Sequence, residues 1–286
     1  MNMRRLAIAL TVTLAATTAF AHDGHDHRSS AEECSERSTQ FGDEPTFVKK
    51  EVINASNLRS IKASVTNAPI SFEGGNSAGY TITVCKAATV QADLEQIRVT
   101  LNGNELRADG PDESHKRRWT VMYHIRAPRN ADIDVEAENG PVAFRDIDGK
   151  VVARAQNGPL SLSNVTGEID AATSNGPISI NGGSGTMKVK ASNGPLTVDL
   201  DGASWNGTLD ASTKNGPLTV RVPRNFNSGV VIEAKGHGPI SCHAADCERG
   251  WRSDDDGEPR RIELGNGPAT VHLSTVNGPV TVKDQS

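Results

Sequence analysis

One three-residue phrase, Asn-Gly-Pro, recurs along the second half of the chain and constrains its fold more than any other feature. The variants His237-Gly238-Pro239 and Asn67-Ala68-Pro69 extend the series. The first copies are 18 residues apart, and a fixed period near 20 residues indicates an array of stacked repeats. The copies begin at Asn139, Asn157, Asn175, Asn193, Asn215, Asn266 and Asn277.

Each copy is followed by an alternation of apolar and small polar residues. Apolar residues stand three and five places after the Asn, and Ala, Ser or Thr stands between them. This period of two predicts a strand with one buried face. The positions expected to face the core are Val142, Phe144, Leu160, Leu162, Ile178, Ile180, Leu196, Val198, Leu218, Val220, Ile240, Cys242, Ala269, Val271, Val280 and Val282.

A second strand is predicted between a Gly turn and the next Asn. Gly149, Gly167, Gly185, Gly207 and Gly229 open it, and its first inward column is Val151, Ile169, Met187, Leu209 and Val231. A single repeat cannot bury its own apolar face, so several must stack. The predicted fold is therefore an all-β β-solenoid with two short strands per coil of about 18–22 residues, right-handed by default.

The repeated phrase is suited to a tight turn between the two strands. Asn and Gly both tolerate positive φ, and Pro is permitted where a strand begins. Turns stacked at the spacing of neighbouring strands, about 4.8 Å, allow the side-chain amides to form an Asn ladder. We assign a structural turn role to Asn139, Gly140, Pro141, Asn157, Gly158, Pro159, Asn175, Gly176, Pro177, Asn193, Gly194, Pro195, Asn215, Gly216 and Pro217.

The pattern fails in two places. Glu233 stands where an apolar residue is expected, which indicates a register slip or an open rim. The following copy is stretched to 29 residues by "DCERGWRSDDDGEPRRIE", and the final step of 11 residues is too short for two strands. We expect a loop excursion and a C-terminus that caps the stack.

The N-terminus has the features of a secretory signal peptide. Arg4 and Arg5 precede a short apolar run, and Ala19-Phe20-Ala21 resembles a cleavage site. No later segment is long and apolar enough to span a membrane, so we expect a periplasmic, cell-surface or secreted protein. The expected organisation is a signal peptide at 1–21, a polar His-rich arm at 22–45 and a repeat domain at 46–286. That domain is irregular at 46–138, where "YTITVC", "IRVTL" and "WTVMYHI" alternate like strands, and regular at 139–286.

Charge and cysteine content narrow the function classes. The net charge of −5 disfavours nucleic acid as a partner. Four cysteines in an exported chain predict two disulfides, Cys242 with Cys247 and Cys34 with Cys85. The C-x-x-C spacing of zinc sites is absent, and no cofactor is expected.

The run "VMYHIRAPRNADIDVEAENGPVAFRDIDGKVVARAQNGPLSLSNVTGEIDAATSNGPISI", residues 121–180, resembles the bacterial putative-adhesin family of exported β-strand-repeat proteins. Ile125-Arg126-Ala127-Pro128 and Ala131-Asp132-Ile133 match the segment that precedes the repeats in that family. The resemblance covers roughly residues 46–285. It implies a β-solenoid at the cell envelope and brings no catalytic residues with it.

Several short motifs are candidates for chemistry. Ser77 in "GNSAG" matches a nucleophile motif but precedes a strand, which favours a hairpin loop. His22, His25 and His27 could bind copper, nickel or zinc, or form only a polar tail. The acidic run 254–258 and the basic run 114–119 are interpreted as solvated loops.

Trp251 and Arg252 lie in the excursion and are the leading candidates for a binding contact. A Trp there could stack on a sugar or anchor a partner, or fold back over the open end of the coil.

These features favour a non-catalytic, exported β-solenoid that acts as an adhesin or as an interaction or scaffold module for a cell-envelope polymer or protein. The alternatives are a β-helical polysaccharide-active enzyme and metal binding through the His-rich arm. The open ends of the coil would allow end-to-end self-association, because unpaired strand edges invite pairing.

Overall fold

The protein is described from a computed structural model, which covers residues 34–35, 39, 41–114, 118–236, 238–245, 247, 251–252 and 260–285. These residues form an all-β structure with a 3₁₀ turn at Gln91–Asp93. The strands are β1 Phe47–Ser56, β2 Ser60–Asn67, β3 Ile70–Gly75, β4 Gly79–Ala88, β5 Arg98–Asn102, β6 Glu105–Asp109, β7 Trp119–Pro128, β8 Asp132–Asn139, β9 Val142–Arg145, β10 Asp148–Asn157, β11 Leu160–Asn175, β12 Ile178–Gly183, β13 Gly185–Asn193, β14 Leu196–Asp199, β15 Gly207–Asn215, β16 Leu218–Val222, β17 Gly229–Ala234, β18 Ile240–Cys242, β19 Trp251–Arg252, β20 Arg260–Leu264, β21 Ala269–Asn277 and β22 Val280–Asp284.

Strands one repeat apart pair in parallel and in register. The strands that lead into the repeated turn, which we call pre-turn strands, stack in the order β2, β8, β10, the second half of β11, β13, β15, β21 and β17. The post-turn strands stack as β3, β9, the first half of β11, β12, β14, β16, β22 and β18. We call each pre-turn strand with the post-turn strand that follows it a rung. Because β11 runs from one stack into the other, the strands form one curled, half-barrel sheet.

The core lies between the inward faces of the two stacks. The predicted apolar columns are buried along the regular rungs, from Val142 and Phe144 to Leu218 and Val220. Phe144 stacks on Phe72 of the neighbouring rung with ring centroids 5.2 Å apart. Because aromatic residues are only 4% of the chain, the core is built mainly from Val, Ile, Leu and Ala.

Further strands extend the stacks at both ends: β7 and β6 pair in parallel with β3 and β2, and the strands beyond them pair in antiparallel fashion. Strands β7, β4 and β1 continue the post-turn stack beyond β3, and the β5–β6 hairpin continues the pre-turn stack beyond β2. The strand predictions for "YTITVC", "IRVTL" and "WTVMYHI" are confirmed by β4, β5 and β7. At the other end, β20 and β19 pair in antiparallel fashion beyond β17.

The C-terminal rung lies inside the stack. Strand β21 pairs with β15 on one side and β17 on the other, and β22 lies between β16 and β18. The expectation that the C-terminus caps the stack is therefore wrong. The rung formed by 269–284 has the inward pattern of every other rung, so its local sequence does not reveal which neighbours it has.

Two register predictions near this insertion are also wrong. Asn266 does not join the column of turns, because Asn277 pairs with Asn215. Ala269 is consequently exposed, whereas Val271 packs in the pre-turn stack opposite Leu209.

A bulge resolves the anomaly at Glu233. The pairing of β17 with β21 shifts between Gly229 and Val230, so that Val230 and Ile232 face the core in place of the predicted Val231 column. Glu233 then lies on the outer side, where its carboxylate accepts a hydrogen bond from Arg261 at 3.1 Å.

Close contact between rungs requires glycine at the turn. A Cβ on Gly278 would overlap the backbone carbonyl of Gly216 in the rung below. Gly75, by contrast, has nothing within 4 Å of the place where a Cβ would lie.

We predict that Gly278→Ala lowers the free energy of unfolding by about 1–3 kcal/mol, because the added methyl group forces the rungs apart. Gly75→Ala is the matched control and should change it by less than about 0.5 kcal/mol. Chemical denaturation of both variants measures the difference. Equal midpoints for the two would contradict the stacking of β22 on β16.

Candidate interaction surface

The repeated turns form a column of hydrogen-bonded amides along one corner of the molecule. The Nδ2 of each Asn donates to the Oδ1 of the Asn one rung earlier, at 2.8–2.9 Å. The members of this Asn ladder are Asn67, Asn139, Asn157, Asn175, Asn193, Asn215 and Asn277. An inner member uses its amide both as a donor and as an acceptor.

The glycines of the turns add a second, backbone column. The amide N–H of Gly158 donates to the carbonyl of Asn175 at 3.0 Å, and Gly176 donates to Asn193 at 2.9 Å. The same bond is made by Gly140, Gly194 and Gly216. The prolines follow at the point where each post-turn strand begins, and their carbonyls accept from that strand's neighbour, as Pro177 does from Leu160.

The outer face of the pre-turn stack alternates in charge from rung to rung. Register brings equivalent positions about 4.8 Å apart, so like charges in one column would repel. Ion pairs between neighbouring rungs join Lys62 to Asp134 at 3.5 Å, Lys150 to Glu168 at 3.1 Å and Arg154 to Asp170 at 2.8 Å. Exposed pairs stabilise a fold by only about 0–1 kcal/mol each, so their main effect is to favour the observed register.

An open groove of about 500 Å³ runs across this face beside the Asn ladder. Small side chains form most of it, and charged side chains occur at intervals along its length. Acidic groups lie toward β8 and basic groups toward β10 and β13. Its lining residues are Ser64, Val65, Thr66, Glu136, Ala137, Glu138, Arg154, Ala155, Gln156, Ala172, Thr173, Ser174, Lys190 and Ser192.

The outer face of the post-turn stack carries a row of small side chains. In register, the row reads Ala143, Ser161, Ser179, Thr197, Thr219 and Thr281. Ser179 Oγ donates to Ser161 Oγ at 3.2 Å. The row beside it contains the Arg221–Asp199 ion pair, at 2.6 Å.

The sequence did not reveal one polar cluster at the N-terminal end of this face. Ser71 Oγ lies 3.0 Å from His124 Nδ1, and His124 Nε2 lies 3.4 Å from Glu73 Oε2. The alternation of Ser71 and Glu73 on β3 is visible in the sequence. His124, however, is 53 residues from Ser71 along the chain and comes next to it only through the β3–β7 pairing. His124 is only 6% exposed, whereas the side chain of Glu73 is 44% exposed, and none of the three residues lines the groove.

Both expected disulfides are present. Cys34 and Cys85 are joined with Cα atoms 5.3 Å apart, and Cys242 and Cys247 with Cα atoms 5.8 Å apart. Cys34 and Val48 pack with buried Cys85 and Met122, which holds Cys34 against β4 and β7. Such crosslinks are typical of exported proteins.

The remaining sequence candidates do not converge on one site. Trp251 and Arg252 form β19, which pairs with β20, and their side chains are outside the described residues. His22, His25 and His27, the signal-peptide segment and the acidic run 254–258 also lie outside them, as does 115–117 of the basic run. Among the residues that are described, no group of three or more His, Cys, Asp or Glu side chains could hold a metal ion.

Ser77 lies in the connection 76–78 between β3 and β4, and its hydroxyl donates to the carbonyl of Gly79 at 2.8 Å. The expected hairpin is wrong, because β7 lies between these two strands.

Across the described part of the chain, no helix is long and apolar enough to cross a membrane.

Comparison with known proteins gives weak structural similarities only. No family model matches the chain, and no curated protein matches it. Three of the similar structures each cover 84% of this chain. A putative cell adhesion protein from Clostridium sporogenes is 12% identical, with a TM-score of 0.32 and all of its own chain covered. A putative adhesin from Bacteroides fragilis is 12% identical, with a TM-score of 0.35 and 97% of its chain covered. A putative lipid binding protein from Parabacteroides distasonis is 8% identical, with a TM-score of 0.24 and 97% covered.

We predict that Asn175→Asp destabilises the protein in a pH-dependent way. A carboxylate can accept from Asn193 but cannot donate to Asn157, so at neutral pH the variant should lose about 1–2 kcal/mol. The protonated acid restores the donor, which raises the folded-state pKa above the unfolded value of about 3.9. The deficit should therefore be smallest below that value and grow as pH rises through the folded-state pKa.

Asn266→Asp is the control, because Asn266 is exposed and outside the ladder. Urea denaturation of both variants at acidic and neutral pH measures the effect. A deficit for Asn175→Asp that does not change with pH would contradict the donor role of its amide.

Proposed function

We propose that the chain is a non-catalytic, exported β-solenoid with two strands per coil, which binds a component of the cell envelope as an adhesin-like interaction module. The parallel, in-register stacking of rungs supports the solenoid, because each rung makes one pass through both stacks. Export through a signal peptide at 1–21 is part of the proposal, and the two disulfides support it.

The groove beside the Asn ladder is the observation that carries the binding role. It crosses five pre-turn strands, β2, β8, β10, β11 and β13. At about 4.8 Å between neighbouring strands, the groove is about 19 Å long. An extended ligand would meet a different polar group at successive rungs: hydroxyls on β2, carboxylates on β8, a guanidinium on β10, and an ammonium with a hydroxyl on β13. This geometry favours an extended polymer over a compact small molecule.

The chemistry of the lining limits the class of partner that fits the groove. The groove offers hydroxyls from Ser174 and Ser192, and charges of both signs from Glu136 and Lys190. We therefore propose a polar envelope polymer that carries hydroxyl groups and both acidic and basic groups. The Ser71–His124–Glu73 cluster is assigned no catalytic role, because its imidazole is buried away from this groove.

The strands at the ends of the two stacks are proposed as sites of self-association. Strand β1 is the outermost described strand of its stack, and Val52 on its outer side is 52% exposed. Unpaired edges of this kind can accept a further strand. A metal-binding role for His22, His25 and His27 is kept as a separate proposal.

We predict that filling the groove weakens polymer binding without affecting the fold. Ala172→Gln places a longer side chain in the groove at constant charge, and should weaken binding to the insoluble envelope fraction at least about tenfold, or about 1.4 kcal/mol. Ala143→Gln makes the same change on the outer face of the post-turn stack and should leave binding unchanged. Sedimentation of the folded protein with insoluble envelope fractions measures binding, and the supernatants are checked for soluble products.

Three outcomes would contradict the proposal. Equal binding by the two variants would remove the groove from the contact. Release of soluble fragments would establish an enzyme. Binding that survives glycan oxidation but not protease treatment of the fraction would make the partner a protein.

A further inference from the structure

The chain contains an unusual number of sites for one spontaneous reaction. Ten of its Asn residues are followed by Gly. In such a pair, the backbone nitrogen of Gly can attack the Asn side-chain carbon because no Cβ hinders the approach. A carbon–nitrogen bond forms, ammonia leaves, and water opens the resulting succinimide to Asp or isoaspartate. This reaction is one reason that Asn is thermally labile.

The Asn ladder holds both reacting groups in place. Asn157 is an example: its Nδ2 donates to Asn139 Oδ1, and its Oδ1 accepts from Asn175 Nδ2, both at 2.9 Å. The attacking nitrogen, that of Gly158, donates its proton to the carbonyl of Asn175 at 3.0 Å. Attack would require all three hydrogen bonds to break. Six of the ten pairs are on the ladder, namely those at Asn139, Asn157, Asn175, Asn193, Asn215 and Asn277.

The four pairs outside the ladder are not equivalent. Gly267, which follows Asn266, donates its N–H to the backbone carbonyl of Asn227 at 2.8 Å. Gly182 and Gly207, after Asn181 and Asn206, lie within β12 and β15.

Asn102–Gly103 lies at the tip of the β5–β6 hairpin, which is an end of the pre-turn stack. Both residues are exposed, and Gly103 has nothing within 4 Å of the place for a Cβ. Within the described structure, the Gly103 N–H donates to no backbone carbonyl. Of the ten pairs, only this one joins two exposed residues and has a Gly that lies outside the strands and donates its N–H to no described backbone carbonyl.

We propose that Asn102 is a site of spontaneous modification, converted to Asp or isoaspartate with loss of ammonia, and that the Asn ladder protects the six pairs it contains. The reaction places a new negative charge at the hairpin tip, next to the hydrogen bond from Asn104 to Ser60 that connects the hairpin with β2. The ladder thus slows the modification of its Asn residues in addition to joining the rungs.

Peptide mapping by mass spectrometry tests the proposal in the folded, full-length protein after incubation in mildly alkaline buffer. We expect Asn102 to react at least about tenfold faster than any ladder Asn, which corresponds to about 1.4 kcal/mol in barrier. In denaturant, the rates of all ten pairs should converge. Absence of reaction at Asn102, or equal rates at Asn102 and Asn157 in the folded protein, would overturn the proposal.

A variant separates the ladder from the general effect of folding. Asn175→Ala removes one amide hydrogen bond from Asn157 and one from Asn193, while Asn215 keeps both of its own. Reaction at Asn157 and Asn193 should then rise severalfold relative to Asn215. Unchanged rates at all three would show that the amide column gives no protection, and would overturn that part of the proposal.

Discussion

Backbone hydrogen bonding between parallel, in-register rungs is the constraint on which the rest of this structure depends. These bonds set the separation of neighbouring turns. For example, the N–H of Gly158 donates to the carbonyl of Asn175 at 3.0 Å, and that of Leu160 donates to the carbonyl of Pro177 at 2.9 Å. At that separation, a turn that lies on an earlier turn requires Gly at the corner, because a Cβ would overlap the earlier turn's carbonyl. Ala68 is found at the same corner in the first turn of the column. The same spacing aligns the Asn amides and the apolar columns. It also brings opposite charges on neighbouring rungs of the outer face close enough to attract each other.

The strand pattern could be predicted because each regular rung carries its own signals. Apolar residues at a period of two, as at Val142 and Phe144, determine which side chains are buried, and the Asn-Gly-Pro turn marks where the chain changes direction. Asn266-Gly267-Pro268 shows the limit of this logic. It is identical to the other turns, yet lies outside the ladder because Asn277 is the residue that pairs with Asn215. Local sequence therefore predicts a rung but not its neighbours.

The candidate site was less predictable for a related reason. The groove depends on small residues from five rungs, such as Ala155 and Ala172, which adjoin only when the register is known. The Ser71–His124–Glu73 cluster likewise depends on the pairing of β3 with β7. Trp251 was chosen from composition, and its strand pairs with β20 at the end of the pre-turn stack, away from the groove.

The position of β21 and β22 has a consequence for the order of events during biogenesis. Residues 229–242 emerge from the ribosome before 269–284, yet they stack on them. While the later segment is still being synthesised, β17 and β18 lack their parallel neighbours, whereas the rungs from β8 to β16 can already assemble in order. The strand order therefore allows most rungs to form in the order of synthesis, whereas the last rung must insert between two earlier ones. The last step of folding therefore needs contacts across about 40–60 residues, which form more slowly than contacts between consecutive rungs.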